Sequence, residues 1–256
     1  MTIKLSKRLQ HIADWVPAGS RLADIGSDHA LLPTYLARSG RILHAIAGEV
    51  NPGPFDAAAK QVASSQLEHM VQVRRGDGLA VLQPGEVDCI TIAGMGGSLI
   101  VSILSAEPLK LDGVRYLVLQ PNVGEEFVRG WLSKNGWSLM KEQIIEEDGK
   151  IYEIMYAERL SKEQFTVCEQ QLYAPYMLSC GIMLDETWLK LMGPHLVKNP
   201  SEVYIQKWQL ELKKQERIIQ TMANAETEDA MERRQRFVTH KAQLEAMLAC
   251  WQKDKQ

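Results

Sequence analysis

Four acidic or glycine-rich clusters recur along the first half of the chain, each directly after a run of apolar and β-branched residues. The first is Ala23-Asp24-Ile25-Gly26-Ser27-Asp28-His29-Ala30. A small residue at such a turn lets backbone approach a ligand, and a helix N-terminus then faces it. Gly26 meets that need. The second, Gly48-Glu49-Val50-Asn51, places a carboxylate where it can accept hydrogen bonds from both hydroxyls of a ribose. In the third, Arg75-Gly76-Asp77-Gly78, the Asp77 side chain can meet the amino group of an adenine while Gly76 and Gly78 clear space. The fourth, Ile92-Ala93-Gly94-Met95-Gly96-Gly97, is a glycine-rich exit that a substrate backbone or base can approach closely. A plain turn would use the residues of the third cluster, and Asp24 and Asp28 could equally cap a helix beginning near His29. Their joint order is far more specific than any one of them.

These clusters suit a cation better than a phosphate. The match to G-x-G-x-x-G is poor, because Asp28 and Leu31 stand where the later glycines would be, and Asp28 would repel a pyrophosphate. S-adenosylmethionine has no phosphate and bears a sulfonium and an ammonium, so carboxylates in this loop favour it over NAD. The expected cofactor contacts are therefore Asp24, Gly26 and Ser27; Glu49, Val50 and Asn51; Gly76, Asp77 and Gly78; and Ala93, Gly94 and Met95.

The elements that must hold these residues follow from the apolar pattern. Strands are predicted at Arg21 to Ile25, Leu43 to Glu49, Met70 to Arg74, Val87 to Ala93 and Val114 to Leu119. Helices are predicted near His29 to Ser39, Pro52 to Ser64, Gly97 to Ser105 and Gly124 to Lys134, a βαβ alternation around a parallel sheet. All four clusters then fall at carboxyl ends of strands, where open α/β sheets bind ligands. Trp137 to Glu146 and Ile151 to Arg159, joined by Glu147-Asp148-Gly149-Lys150, read as a hairpin. Five parallel strands closed by an antiparallel hairpin make a seven-stranded mixed sheet, the Rossmann-like α/β architecture of class I methyltransferases. A cofactor-binding domain is expected over residues 1–160 and an all-α, coiled-coil-like domain over 161–256. In the latter, Glu163 to Tyr173, Ala174 to Met192 and Ser201 to Gln256 read as helical. Ile205, Trp208, Leu212, Ile219 and Met222 form one stripe, broken only by Gln215; Ala230, Phe237, Leu244 and Trp251 form another, with the join near Asn224.

Composition narrows the class further. A chain of 256 residues with ordinary charge and apolar content suits two modest globular domains. No apolar run is long enough to cross a bilayer. Lys4, Lys7 and Arg8 are not followed by the apolar segment of a secretory signal, so the cytoplasm is the default location. Cys89, Cys168, Cys180 and Cys250 lack ligand spacing, which argues against a metal site and a disulfide framework and marks them as buried or incidental thiols. With a net charge of −3, any nucleic-acid contact must come from a local basic patch.

The quoted clusters, extended to Gly48-Glu49-Val50-Asn51-Pro52-Gly53-Pro54 and Arg75-Gly76-Asp77-Gly78-Leu79, resemble the bacterial tRNA (adenine(22)-N(1))-methyltransferases, as do Leu5-Ser6-Lys7-Arg8-Leu9 and Leu119-Gln120-Pro121-Asn122. The resemblance spans the α/β domain. It implies methyl transfer to N1 of adenine 22 in tRNA, with Asp24, Gly26, Glu49, Asp77 and Gly94 in the family's cofactor-binding blocks. Adenine N1 has a neutral lone pair and needs no deprotonation, so positioning should dominate the rate. The base must be unpaired or flipped and its Watson-Crick edge read in a pocket. Candidates for that pocket are Asp28, His29 and Asn122 in catalytic roles, with Gly96, Gly97, Gln120 and Pro121 around the base. Asn122 could accept from the exocyclic amine, and His29 could do so or relay a proton; His29 could equally be a structural helix-start residue. Lys7 and Arg8 join the substrate contacts, as do Arg233, Arg234 and Arg236 of the tail, the densest run of positive charge. That run could instead be a solvated face paired with Glu228, Asp229 and Glu232. A monomer needing no metal is expected. The alternatives are a methyltransferase of the same fold acting on a small molecule or protein, a non-catalytic RNA-binding protein with a decayed site, and an NAD-dependent oxidoreductase.

Overall fold

The computed structural model describes residues 3–222 and 227–253, with 228 and 230 described by their backbone alone. It divides into two compact units, Met1–Leu172 and Tyr173–Gln256, whereas the change in sequence pattern comes at residue 160.

The first unit is built on a seven-stranded sheet of β1 (Ser20–Ile25), β2 (Ile42–Glu49), β3 (Val71–Arg75), β4 (Cys89–Met95), β5 (Tyr116–Pro121), β6 (Ser138–Glu147) and β7 (Lys150–Glu158). Its order is β3-β2-β1-β4-β5-β7-β6, with β1 to β5 parallel and β6 and β7 antiparallel. The order reverses between β1 and β4, and open α/β sheets bind ligands beyond the carboxyl ends of the strands at such a switch point. Buried runs such as Leu22-Ala23 and Leu117-Val118-Leu119 fit strands covered on both faces. The covering helices are α1 (Lys7–Trp15), α2 (Leu31–Arg38), α3 (Pro52–Ser64), α4 (Gly97–Ala106), α5 (Glu125–Lys134) and α6 (Lys162–Leu172). Helix α1 is absent from the pattern of predicted elements: Ser6 caps it by accepting from the Leu9 N–H at 3.2 Å, and Ile12 and Ala13 enter the core. Helix α2 starts at Leu31 rather than His29, because His29 (φ 56°) and Ala30 (φ 49°) both take left-handed conformations.

The second unit contains α7 (Glu186–Met192), α8 (Glu202–Thr221) and α9 (Glu228–Lys253). Helices α8 and α9 run antiparallel: the rings of Tyr204 and Trp251 lie 5.4 Å apart near one end, while Gln215 meets His240 nearer the other. Trp208, Leu244 and Trp251 are buried as the stripes require, and the join at Asn224 lies outside the described residues. Gln215, the break in the first stripe, is buried and hydrogen-bonds His240 Nδ1, which itself stacks on Trp188. The helix predicted over Ala174 to Met192 is mostly something else. Pro175 has no backbone N–H and Gly181 sits at φ 86°, and around them the chain forms a short hairpin of β8 (Tyr176–Met177) and β9 (Met183–Leu184) before α7. The prediction of incidental thiols also fails for one pair. Cys180 and Cys250 form a disulfide with Cα atoms 5.7 Å apart, which a sequence separation of 70 residues had hidden, while Cys89 and Cys168 are free. Among the described residues no helix is long and apolar enough to span a membrane, and no group of three or more His, Cys, Asp or Glu side chains is placed to hold a metal ion.

In the first unit Arg129 of α5 is fully enclosed, its Nε 2.7 Å from Glu142 of β6 and its Nη2 bonded to Glu153 of β7. Removing one partner of a buried ion cluster leaves uncompensated charge. Arg129→Met is therefore expected to lose about 3–5 kcal/mol in urea denaturation, and replacing both glutamates by leucine in the same variant should restore most of it. A loss under ~1 kcal/mol for Arg129→Met would mean that water reaches the cluster.

Candidate active site

At the end of β1, Asp24 is buried, and its carboxylate accepts from Thr91 Oγ1 of β4 at 2.6 Å and from Ser27 Oγ at 2.5 Å. Burial raises its pKa against the pull of these two hydroxyls and of Arg8. Gly26 follows at φ 71°, and its N–H and that of Ser27 both donate to Gly48 O, which ties the loop to β2. Asp28 and His29 then project into solvent, His29 Nε2 lying 3.4 Å from Asp28 Oδ1. Neither aspartate caps α2, whose N-cap is Ala30 with no side-chain bond. Two consecutive left-handed residues other than glycine store ~1–3 kcal/mol each, a load typical of functional loops.

Glu49 closes β2 and is only 7% exposed. Burial raises its pKa, and the charges of Asp28 and Asp24 raise it further against a backbone hydrogen bond from Val50. Val50 and Asn51 stand outside it, exposed, and Asn51 makes no side-chain bond at the start of α3. Beyond β3, the Gly76 N–H donates to Glu49 O at 2.9 Å, and a Cβ on Gly76 would come 2.8 Å from Val81 Cγ1. Asp77 is exposed and does not cap the short helical turn over Gly78–Val81. Its carboxylate therefore lacks the turn-forming task that would explain it.

The β4 exit is held by the next strand. Ala93 and Met95 flank a bulge at which Gly94 takes φ 78°. The Asn122 N–H donates to Met95 O at 2.7 Å and the Gly97 N–H to Val123 O at 2.7 Å. A Cβ on Gly97 would sit 2.0 Å from the Gly124 carbonyl oxygen, so no other residue fits there, while one on Gly96 would meet Val123 Cγ2 only at an ordinary 3.9 Å. Gln120 and Pro121 are buried at the end of β5, whereas Asn122 is exposed.

The N-terminal helix contributes what the cluster pattern does not reveal. Arg8 reaches from α1 to Gln120 Oε1 at 2.5 Å and lies over the Tyr152 ring at 5.3 Å. Both Lys7 and Arg8 donate their backbone N–H groups to Glu147 of β6, and Lys7 Nζ donates to Glu146 O at 3.2 Å. The Arg8 guanidinium thus meets Gln120 and the Tyr152 ring, and its charge acts on Asp24. Thr91 as the partner of Asp24 also escapes sequence reading, since the bond joins residues 67 apart. The tail arginines lie on α9 in the second unit. Arg233 is exposed, Arg236 pairs with Glu232 at 2.6 Å, and Arg234 is half-buried with no hydrogen-bond partner for Nε.

This arrangement sits within a known sequence family. The family model described as tRNA (adenine(22)-N(1))-methyltransferase, TrmK, matches residues 22–245. The chain belongs to that family. The tRNA (adenine(22)-N(1))-methyltransferase of Bacillus subtilis is 44% identical over 223 residues, 87% of each chain. The crystal structure of Bacillus subtilis TrmK, an M1A22 tRNA methyltransferase, has a TM-score of 0.84 at 40% identity and covers 96% of this chain and 99% of that one. Streptococcus pneumoniae Sp1610, solved in complex with S-adenosyl-L-methionine, gives 0.77 at 37% identity, covering 96% and 100%.

The raised pKa values of Asp24 and Glu49 set a sign for pH dependence. A carboxyl whose folded pKa is raised binds more protons folded than unfolded, so it costs stability as pH rises from the ordinary range near ~4. Glu49→Gln is expected to gain thermal stability over the parent without ligand, and the gain should grow from mildly acidic to neutral pH. A pH-independent difference between the two melting curves would show that Glu49 carries no such strain.

Proposed function

We propose that this chain transfers a methyl group from S-adenosylmethionine to N1 of adenine 22 in tRNA. The observation that carries the reading is the crowding of Asp24, Glu49 and Asp28 around the Gly26 turn, in carboxylates whose charge a cationic ligand would relieve. The residues fit such a ligand. Glu49 offers its two carboxylate oxygens to a ribose, Asp77 is free to accept from an adenine amine, and Gly26 and Gly94 hold backbone that φ values of 71° and 78° reserve for glycine. When bound, the cofactor supplies an electrophilic methyl group, which the lone pair of N1 takes as the carbon-sulfur electron pair returns to sulfur. No group of the chain must remove a proton before attack. The work of the protein is to hold the base edge against the β4 and β5 exits, with Met95, Gly96 and Gly97 on one side and Asn122 on the other. Asp28 and His29, on their strained turn, flank the entrance. The protein acts as a cytoplasmic monomer without a metal, with residues 1–160 holding the cofactor and residues 161–256 meeting tRNA.

Two measurements test this. Mass spectrometry of nucleosides from tRNA incubated with the protein and labelled cofactor should find 1-methyladenosine at position 22. Calorimetry should show Glu49→Ala losing most S-adenosylmethionine affinity while the fold survives; unchanged affinity would remove Glu49 from the cofactor site.

In the tail, Arg233, Arg234 and Arg236 contact phosphates. The pair between Arg236 and Glu232 is exposed, and such pairs are worth only ~0–1 kcal/mol, so a phosphate can displace it. Neutralising a phosphate releases counterions, so Arg233→Ala/Arg234→Ala/Arg236→Ala should weaken tRNA binding and lower the log-log salt slope by about 1 for each phosphate left without its arginine. A parallel, unshifted line would place the RNA elsewhere.

A further inference from the structure

Gln120 is fully buried, and both ends of its amide are engaged. Its Oε1 accepts from Arg8 Nη1 at 2.5 Å and from the Gly94 backbone N–H at 3.0 Å. Its Nε2 donates to Pro121 O at 2.8 Å and to Asn122 Oδ1 at 3.0 Å. A guanidinium and a backbone N–H can only donate, and a backbone carbonyl can only accept. Turning the Gln120 amide over would set its NH2 group against two donors and its oxygen against a carbonyl, so one orientation is forced. Asn122 inherits that direction. Its Oδ1 faces the Gln120 amine, and its Nδ2 donates to Gly94 O at 2.8 Å, another atom that can only accept. The exposed Asn122 amide keeps one lone pair on Oδ1 and one proton on Nδ2 for a partner outside the protein.

We infer that Gln120 is a positioning residue that, anchored by Arg8 and Gly94, locks the Asn122 amide so that Oδ1 is presented to the exocyclic amine of the target base. The inference rests on the proposed role of Asn122 in touching that base. It gives the site a basis for choosing adenine. Beside N1, adenine carries an amine that donates, whereas guanine carries a carbonyl that accepts. An asparagine free to rotate could turn either end of its amide to the base; one locked from behind holds Oδ1 at the position beside N1, where it serves the donor. Sites with a fixed hydrogen-bonding group reject a mismatched partner much more strongly than adaptable ones.

The test is Gln120→Glu, which keeps the shape but cannot donate to Asn122 while ionised. The charged group against this position is Arg8 of α1. That guanidinium is itself faced by Asp24 of β1 and lies over Tyr152 of β7, while Glu147 of β6 accepts from the Arg8 backbone. With S-adenosylmethionine affinity within twofold of the parent, kcat on tRNA bearing adenine 22 should fall at least tenfold. The preference for that tRNA over one with guanine at 22 should fall at least tenfold too. The ratio of variant to parent activity should climb as pH falls, because the introduced carboxyl donates again once protonated. Asn122→Ala, run beside it, separates the two levels of the argument. If it methylates tRNA as well as the parent, Asn122 does not touch the base, and both the proposed role and the inference fall. If it loses activity while Gln120→Glu keeps the parent's kcat, base preference and pH profile, the inference alone is overturned. Should Gln120→Glu not fold, Arg8→Met removes one anchoring donor and leaves Gln120 in place. A smaller shift in the same base preference supports the lock, and an unchanged preference overturns it.

Discussion

The carboxylate of Asp24 lies out of reach of water, in the middle of the sheet's carboxyl edge, and two hydroxyls and a nearby guanidinium are what make a charge tolerable there. The hydroxyl of Thr91 comes from β4 and that of Ser27 from the loop after β1, so the contacts that hold the charge also join the two strands at the switch point. Glu49 and Asp28 add like charge to the same corner. A buried anionic corner with only partial compensation is unfavourable in the free protein and becomes favourable when a cation enters, which is how binding energy can be concentrated in a small ligand.

Backbone supplies the remaining constraint. The loops after β1, β3 and β4 are each fixed to a neighbouring strand or loop by main-chain hydrogen bonds, and the glycines allow the approach. Gly97 is the strictest case, since the carbonyl of Gly124 occupies the space of any side chain. The β4 and β5 exits therefore move as one piece, tied further by Asn122 to Met95 and Gly94. Rigid support of this kind suits a reaction in which alignment and not proton transfer sets the rate.

What could be read from sequence was what is encoded locally. Strand ends, the placement of Asp24, Glu49 and Asp77 upon them, and the closing hairpin all follow from apolar runs and turn residues within a few positions. What could not be read was either conformational or long-range. The start of α2 depended on two positive φ angles, which His29 and Ala30 do not advertise. The pairing of Cys180 with Cys250 and the bond between Gln215 and His240 needed the helices of the second unit to be folded first. Asp28, His29 and Asn122 were found near the surface at the sheet's edge, and Gln120 was found inside it, a distinction that residue type alone does not make.

The anchoring of α1 has a bearing on how the protein is made. Lys7 and Arg8 leave the ribosome well before the carboxylate that clasps their backbone, Glu147, which lies 140 positions after Lys7. At about 5–20 residues per second, translation leaves α1 waiting roughly 7–28 s for its partner strand. Until β6 arrives, Glu147 cannot fix the backbone that carries Arg8 toward Gln120, and the carboxyl edge of the sheet stands without its guanidinium. The site is therefore finished late, when β6 reaches α1, and a nascent chain holding strands β1 to β5 is still an incomplete enzyme.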